Sequence, residues 1–292
     1  MSNLKTKVLV LGAAGMLGNA VLRLFCESSE FETTGSVRSH DVLRILPADL
    51  AAQLVCGVDV ENVDGLLQLF ETVQPDVVVN CVGLVKQITS ADDPLLAIPV
   101  NAMLPHRLAR LCAVVGARLV HMSTDCVFSG SKGMYTEADF SDAQDLYGRS
   151  KYLGEVDYPH AITLRTSIIG HELRGAHSLV GWFLAQQGSA KGFRRAIFSG
   201  LPTVELARVI RDHVLPHPEL RGVYHVSAEP INKFELLKLI AKEYGRDIVV
   251  TPDDELVIDR SLNSSRFKTA TGHRPGPWSE LVHRMHESFR FN

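Results

Sequence analysis

Val8-Leu9-Val10-Leu11 runs directly into Gly12-Ala13-Ala14-Gly15-Met16-Leu17-Gly18, and helical spacing of Val21, Leu22, Leu24 and Phe25 follows at once. A short apolar run, glycines at three-residue intervals and an amphipathic segment predict strand, tight turn and helix. The glycines permit the turn, let the backbone approach a pyrophosphate and let the helix pack closely on the strand. The helix N-terminus adds amide donors and a positive dipole. GxxGxxG differs from GxGxxG and is weak evidence in isolation; its place just after the first strand makes it a nucleotide-site signal.

The same alternation continues. Residues 33–37 read as a strand, 63–73 as a helix, Pro75-Asp76-Val77-Val78-Val79-Asn80-Cys81 as a strand buried on both faces, 100–115 as a helix, and Arg118-Leu119-Val120-His121-Met122-Ser123 as another buried strand. Strands alternating with helices imply right-handed crossovers and an α/β fold with a doubly wound parallel sheet, the Rossmann arrangement. Ligands of such sheets sit beyond the carboxyl ends of the strands, where Gly12, Asn80 and Ser123 fall. After Lys151 the order is less regular. Segments 162–167 and 222–227 read as further strands, and 178–193 with the tail from Phe234 as a smaller lobe over the cleft. The expected division is a dinucleotide-binding domain over 1–165 and a substrate-binding lobe over 166–292, with the segment near 200–227 returning to the first domain.

With 292 residues, 46% hydrophobic and 22% charged, the composition is that of an ordinary globular protein. A net charge of −3 and the lack of a long Lys/Arg run give no general attraction to nucleic acid. Cys26, Cys56, Cys81, Cys112 and Cys126 lack paired metal-site spacing and read as reduced, buried thiols, and no acidic ligand set proposes a metal. The glycine-broken run at Val8 is neither a secretory signal nor a membrane span, so the expected location is cytoplasmic, with no membrane partner.

Two further blocks carry chemistry. Tyr147 and Lys151 stand four residues apart in Tyr147-Gly148-Arg149-Ser150-Lys151, one helical turn apart on one face, so an ammonium is placed to lower a phenol pKa toward the operating range of a general acid or base. Ser123-Thr124-Asp125 precedes them at a strand end. At the end of the second strand, Ser36-Val37-Arg38-Ser39 offers an arginine where an acid would bind a ribose 2′-hydroxyl, which favours NADP(H), with NADH the lesser expectation. Asp59-Val60 is placed to receive an adenine amino group, although an aspartate there serves equally as an N-cap.

Jointly the chain resembles an extended short-chain dehydrogenase/reductase of the dTDP-4-dehydrorhamnose reductase-like family. The likeness runs through GAAGMLG, PDVVVNCVG, Val100-Asn101-Ala102, LVHMSTDCVFSG, YGRSK with Gly154-Glu155, Leu164-Arg165-Thr166-Ser167 and Gly200-Leu201-Pro202-Thr203. It implies cofactor contacts at Gly12, Ala14, Gly15, Met16, Leu17, Gly18, Cys81, Val82, Gly83, Asn101, Ser123, Tyr147 and Lys151. It also implies substrate contacts at Lys86, Thr124, Asp125, Tyr147 and Arg165. Thr124 would hydrogen-bond the substrate carbonyl, Tyr147 deliver the proton, and Lys151 hold the nicotinamide ribose. The resemblance implies an NADPH-dependent reductase of a 4-keto-6-deoxy nucleotide sugar, serving deoxysugar or polysaccharide synthesis.

Departures bound that expectation. Related dehydratases carry Asp-Glu after the threonine; here Asp125-Cys126 replaces it, and a thiol buried in a strand is a poor general base. A nucleotide-sugar epimerase would use the same threonine, tyrosine and lysine, but prefers NAD. Ile168-Ile169-Gly170 stands where the rhamnose enzymes carry a tryptophan, and Leu84-Val85-Lys86-Gln87 also departs, with Lys86 either reaching a substrate phosphate or solvated. The regulatory subunit of methionine adenosyltransferase resembles the same family, so a non-catalytic cofactor-binding role is the rival from another class. Apolar helices over 104–115 and after Lys151 offer surfaces for a homodimer.

Overall fold

The computed structural model describes residues 4–84 and 92–290. The first half alternates β1 (Thr6–Leu11), α1 (Met16–Cys26), β2 (Phe31–Val37), α2 (Ala48–Ala51), β3 (Leu54–Cys56), α3 (Val63–Val73), β4 (Val77–Asn80), α4 (Pro94–Ala97), α5 (Leu104–Val115), β5 (Arg118–Thr124) and α6 (Leu146–Leu153). Then follow β6 (Ala161–Thr166), β7 (Ile168–Ile169), α7 (Leu179–Leu184), β8 (Gly188–Phe193), β9 (Ala196–Phe198), β10 (Leu201–Pro202), α8 (Thr203–Val209), β11 (Gly222–His225), β12 (Ile231–Asn232), α9 (Lys233–Glu243), β13 (Ile248–Asp253), β14 (Ile258–Asp259), α10 (Ser265–Thr271) and α11 (Trp278–Arg290).

Seven strands form one parallel sheet in the order β11-β6-β5-β4-β1-β2-β3. The direction of winding reverses between β1 and β4, which opens a crevice at their carboxyl ends. Burial on both faces explains the unbroken apolar strands: Val8 and Val10 enter the core with Val21, Leu22 and Phe25 of α1, whereas Leu9 and Leu11 enter a second core with Leu66, Phe70, Leu104 and Leu108. β11 adds to the edge beside β6 and α8 packs on α1, whereas β10 pairs with β7 outside this sheet. The remaining short strands pair among themselves in small sheets.

One helix departs from the sequence expectation. The 100–115 segment is divided into a π-helical turn, Ile98–Met103, followed by α5. Pro105 lacks an N–H and cannot bond the Asn101 carbonyl four residues back. Widened turns of this kind recur at functional sites, and Asn101 lies within this one. The cysteines also differ: none of the five forms a disulfide, but only Cys112 is fully buried.

Candidate active site

The glycine turn is built for close approach. Gly12 has φ +80°, and a Cβ on Gly18 would lie 2.2 Å from the Gly12 carbonyl oxygen, so α1 starts against the end of β1 only because position 18 has no side chain. Ala13 N–H donates to the Ser36 carbonyl at 3.0 Å, tying the turn to β2. Ala14, Gly15, Met16 and Leu17 thus occupy the turn and the first residues of α1 at the switch point. Arg38 follows β2 and is exposed. Asp59 is exposed and Val60 half-buried; Asn62, not Asp59, caps α3 through a bond from Gly65 N–H.

Two asparagines hold the backbone beyond β4. Asn80 Oδ1 accepts from Val82 N–H at 3.1 Å, and Asn101 Oδ1 accepts from Leu84 N–H at 2.9 Å. Both side chains are fully buried, so Cys81, Val82 and Gly83 are set rigidly beside the glycine turn; a Cβ on Gly12 would lie 3.2 Å from the Val82 nitrogen. Asn101 Nδ2 also donates to Ser150 Oγ at 3.3 Å, linking this loop to α6. Asn101 was legible only as a family position. Its scaffold role comes from the π-helical turn.

α6 is capped by Asp145, whose carboxylate accepts from Gly148 N–H at 2.7 Å. A Cβ on Gly148 would lie 2.2 Å from the Cys126 carbonyl oxygen, so the glycine inside YGRSK lets this helix seat on the turn that leaves β5. That brings Tyr147 beside Thr124, whose hydroxyl pulls the phenol pKa down; Thr124 Oγ1 accepts from Cys126 N–H at 3.1 Å and donates to Asp125 Oδ1 at 3.2 Å. Burial raises the Tyr147 pKa, the neighbouring Cys126 reinforces it, and the Thr124 bond opposes. Burial likewise raises Asp125, against the pull of Arg260 and of bonds to Cys126, Thr124 and Ser167.

Lys151 faces inward from the next turn. It is 6% exposed, its Nζ donates to the Met122 carbonyl at 2.6 Å, and burial pushes it down to about 8, against the attraction of Glu155 and Cys81. The expected lowering of the phenol pKa by this ammonium is not what the structure has: the amine is tied to Met122 and burial of the phenol dominates. Burial also pushes the Cys81 thiol up to about 12.

Two expected ligand contacts have other occupations. Arg165 is 4% exposed and grips Glu155 with two bonds of 2.6 Å, while its remaining nitrogen lies 3.3 Å from His225 Nε2. A substrate would have to break a bidentate buried ion pair to reach it, so its place is structural. Ser123 Oγ donates to the same Glu155 at 2.7 Å, which leaves the backbone rather than the hydroxyl of Ser123 for a ligand. Lys86 lies outside the described residues. Conversely, Cys126 sits in a short 3-10 turn after β5 rather than in a strand, half-buried beside Tyr147. Lys233 of α9 and Arg260 after β14 add positive charge near Asp125. No local pattern announces either; both arrive from over a hundred residues away.

A glycine turn at a sheet's switch point, with threonine, tyrosine and lysine gathered at the end of the neighbouring strands, defines an oxidoreductase of the short-chain dehydrogenase/reductase class. The family model described as RmlD substrate binding domain matches residues 6–290, and the chain belongs to that family. It is 31% identical over 258 residues to the methionine adenosyltransferase 2 subunit beta of Danio rerio, covering 82% of this chain and 74% of that one. It is 41% identical over 101 residues to a dTDP-4-dehydrorhamnose reductase of Mycobacterium tuberculosis, covering 32% of this chain and 33% of that protein. Among solved structures, a dTDP-4-dehydrorhamnose reductase from Bacillus anthracis in complex with NADP has the same fold, with a TM-score of 0.79 at 21% identity over 98% of this chain and 100% of that one.

Proposed function

We propose that the protein is an NADPH-dependent reductase of a nucleotide-linked keto sugar, a 4-keto-6-deoxy sugar being the first candidate. The observation that carries this reading is the Tyr147–Thr124 pair at the end of β5, beside a turn shaped for a pyrophosphate. The residues fit a dinucleotide: Gly12 and Gly18 draw the start of α1 tightly against the end of β1 so that its N-terminus can face phosphates, the 81–83 backbone flanks the turn, and exposed Arg38 suits a 2′-phosphate. When bound, the dinucleotide supplies the hydride.

The protein's own groups manage the proton and the charge. A phenol pKa raised by burial keeps Tyr147 protonated at neutral pH, as a proton donor to a forming alkoxide requires. Thr124 shares the developing negative charge through its hydroxyl, and Lys151 sits one turn further to hold a ribose and add positive potential. Arg165, Glu155 and Ser123 brace the strands beneath. No helix among the described residues is long and apolar enough to cross a membrane, and the reading places the protein in the cytoplasm, acting on a small molecule rather than nucleic acid.

Similarity to methionine adenosyltransferase subunits over most of the chain favours a second reading, a cofactor-binding regulatory subunit. The intact Thr124, Tyr147 and Lys151 weigh against it, because a binding module needs no acid. An epimerase is the alternative among enzymes, and Arg38 weighs against its usual NAD. NADPH oxidation across a panel of nucleotide-linked 4-ketosugars separates these readings: turnover supports the reductase, binding without turnover supports the regulatory subunit, and interconversion of sugar epimers with no net oxidation supports the epimerase. Exposed Leu95, Met103 and Leu153, on adjoining elements around α6, are the surface proposed for a homodimer, which sedimentation velocity tests.

A further inference from the structure

Asn80 and His121 stand directly opposite each other in the parallel register of β4 and β5, and both are fully buried. The orientation of the Asn80 amide is fixed from one side, where Oδ1 accepts from Val82 N–H at 3.1 Å. Its Nδ2 therefore meets His121 Nδ1, 3.1 Å away, and an amide nitrogen only donates. The ring nitrogen must accept, so His121 is neutral and carries its proton on Nε2. Burial, then the charges of Lys151 and His106, hold the imidazole pKa well below its ordinary range and keep the ring in that form.

Stability alone does not account for a histidine here. Nε2 is buried and has no hydrogen-bond partner among the described residues, and an unbonded buried donor carries a cost that an apolar side chain would not. What the ring does supply is an acceptor for Asn80, and the backbone that Asn80 holds borders both halves of the proposed site. A Cβ on Gly12 would lie 3.2 Å from the Val82 nitrogen, and one on Gly83 would lie 3.3 Å from Asn101 Oδ1 and 3.7 Å from Lys151 Nζ. The 81–83 segment thus runs between the glycine turn and the lysine, and its start is held by the face that the Asn80 amide presents to Val82.

We propose that His121 is a positioning residue for the dinucleotide, given the reading above that this cleft binds NADPH: by accepting from Asn80 it locks the amide toward Val82 and so sets the 81–83 backbone that flanks the cofactor. Shut off from solvent, the ring itself meets no ligand and acts only through Asn80. Without the acceptor, Asn80 Nδ2 is left buried and unbonded, and the amide is no longer held toward Val82 from both sides.

NADPH titrations followed by cofactor fluorescence test this on the full chain, as wild type, His121→Leu, His121→Asn, Asn80→Ala and the double variant combining His121→Leu with Asn80→Ala, with thermal melts alongside. His121→Leu fills the space without an acceptor and should weaken NADPH about tenfold. His121→Asn, whose Oδ1 takes the place of Nδ1, should restore binding to within about threefold of wild type. Asn80→Ala should weaken NADPH about as much as His121→Leu, and the double variant should lose no more than either alone, because the two residues act in series. A leucine variant that melts lower yet binds NADPH like wild type, an asparagine variant that restores nothing, or losses that add in the double variant would each leave His121 a merely structural place and overturn the proposal. Wild type that binds no NADPH overturns the cofactor reading as well, whereas equal binding by wild type and every variant overturns this proposal alone. Should His121→Leu not fold, nitrogen NMR of the wild-type imidazole still decides: a proton on Nε2 is expected at neutral pH with and without NADPH, and a proton on Nδ1 overturns the arrangement.

Discussion

The two ends of α6 place ionisable groups of one short helix in opposite roles. At its start, Tyr147 stands beside the Thr124 hydroxyl near a half-buried thiol and a carboxyl, in surroundings that keep the phenol protonated. At its end, Lys151 is tied to a carbonyl and stands near a closed network in which Glu155 serves Arg165 and Ser123 together. The first end has a hydroxyl beside a phenol, both able to turn to a ligand carbonyl; the second has a bidentate ion pair that nothing small can displace. A helix can thus offer a reactive group from one turn because the next turn is immobilised.

Removing the acid tests that contrast most severely. Tyr147→Phe keeps the ring and its packing, so NADPH binding should persist while single-turnover reduction of a 4-keto nucleotide sugar falls by about 10²- to 10⁴-fold. Wild-type turnover in this variant would mean that the reactive end is not reactive. Glu155→Leu attacks the other end, leaving Arg165 buried without its carboxylate, and should cost about 3 to 5 kcal/mol of stability in urea unfolding. A loss below about 1 kcal/mol would show the network to be ornamental rather than bracing.

Smaller effects sharpen the contrast. Arg38→Ala should weaken NADPH by roughly ten- to hundredfold, about 1.5 to 3 kcal/mol, and leave NADH alone; equal affinities of the wild type for both cofactors would remove the argument for a 2′-phosphate contact. Lys151 offers the subtlest test. Its folded pKa near 8 lies below the ordinary 10.5, so between those values the unfolded chain binds more protons and stability should rise with pH. Lys151→Met should flatten that rise in thermal melts from pH 8 to 10. An unchanged slope would place the titration elsewhere.

Much of this was written locally. Val8 to Leu11 and Val77 to Asn80 are apolar because both faces of a parallel strand are covered, and the glycines at 12, 15 and 18 mark a turn that admits no side chain at 18, so the alternation of strand and helix and the dinucleotide turn were legible from spacing, whereas the order of the strands was not. Thr124, Tyr147 and Lys151 were legible as a pattern, because a phenol and an amine four residues apart share a helix face. What each group does in the fold was not. Arg165 reads as an open cation until Glu155 is seen to claim it, and the pKa of Tyr147 is raised because burial outweighs its other neighbours.

Periodicity, turn chemistry and the one-turn spacing of Tyr147 and Lys151 depend on residues close in the chain, and by itself the sequence determined the alternation of strand and helix, the turn and the pairing of a phenol with an amine on one helix face. Burial and charge depend on neighbours that the chain brings back from afar: Lys233 and Arg260 near Asp125, His225 beside Arg165, and His121 beside Asn80. Only the tertiary structure decided those, because solvent exclusion and Coulomb attraction act through space and leave no trace in local spacing.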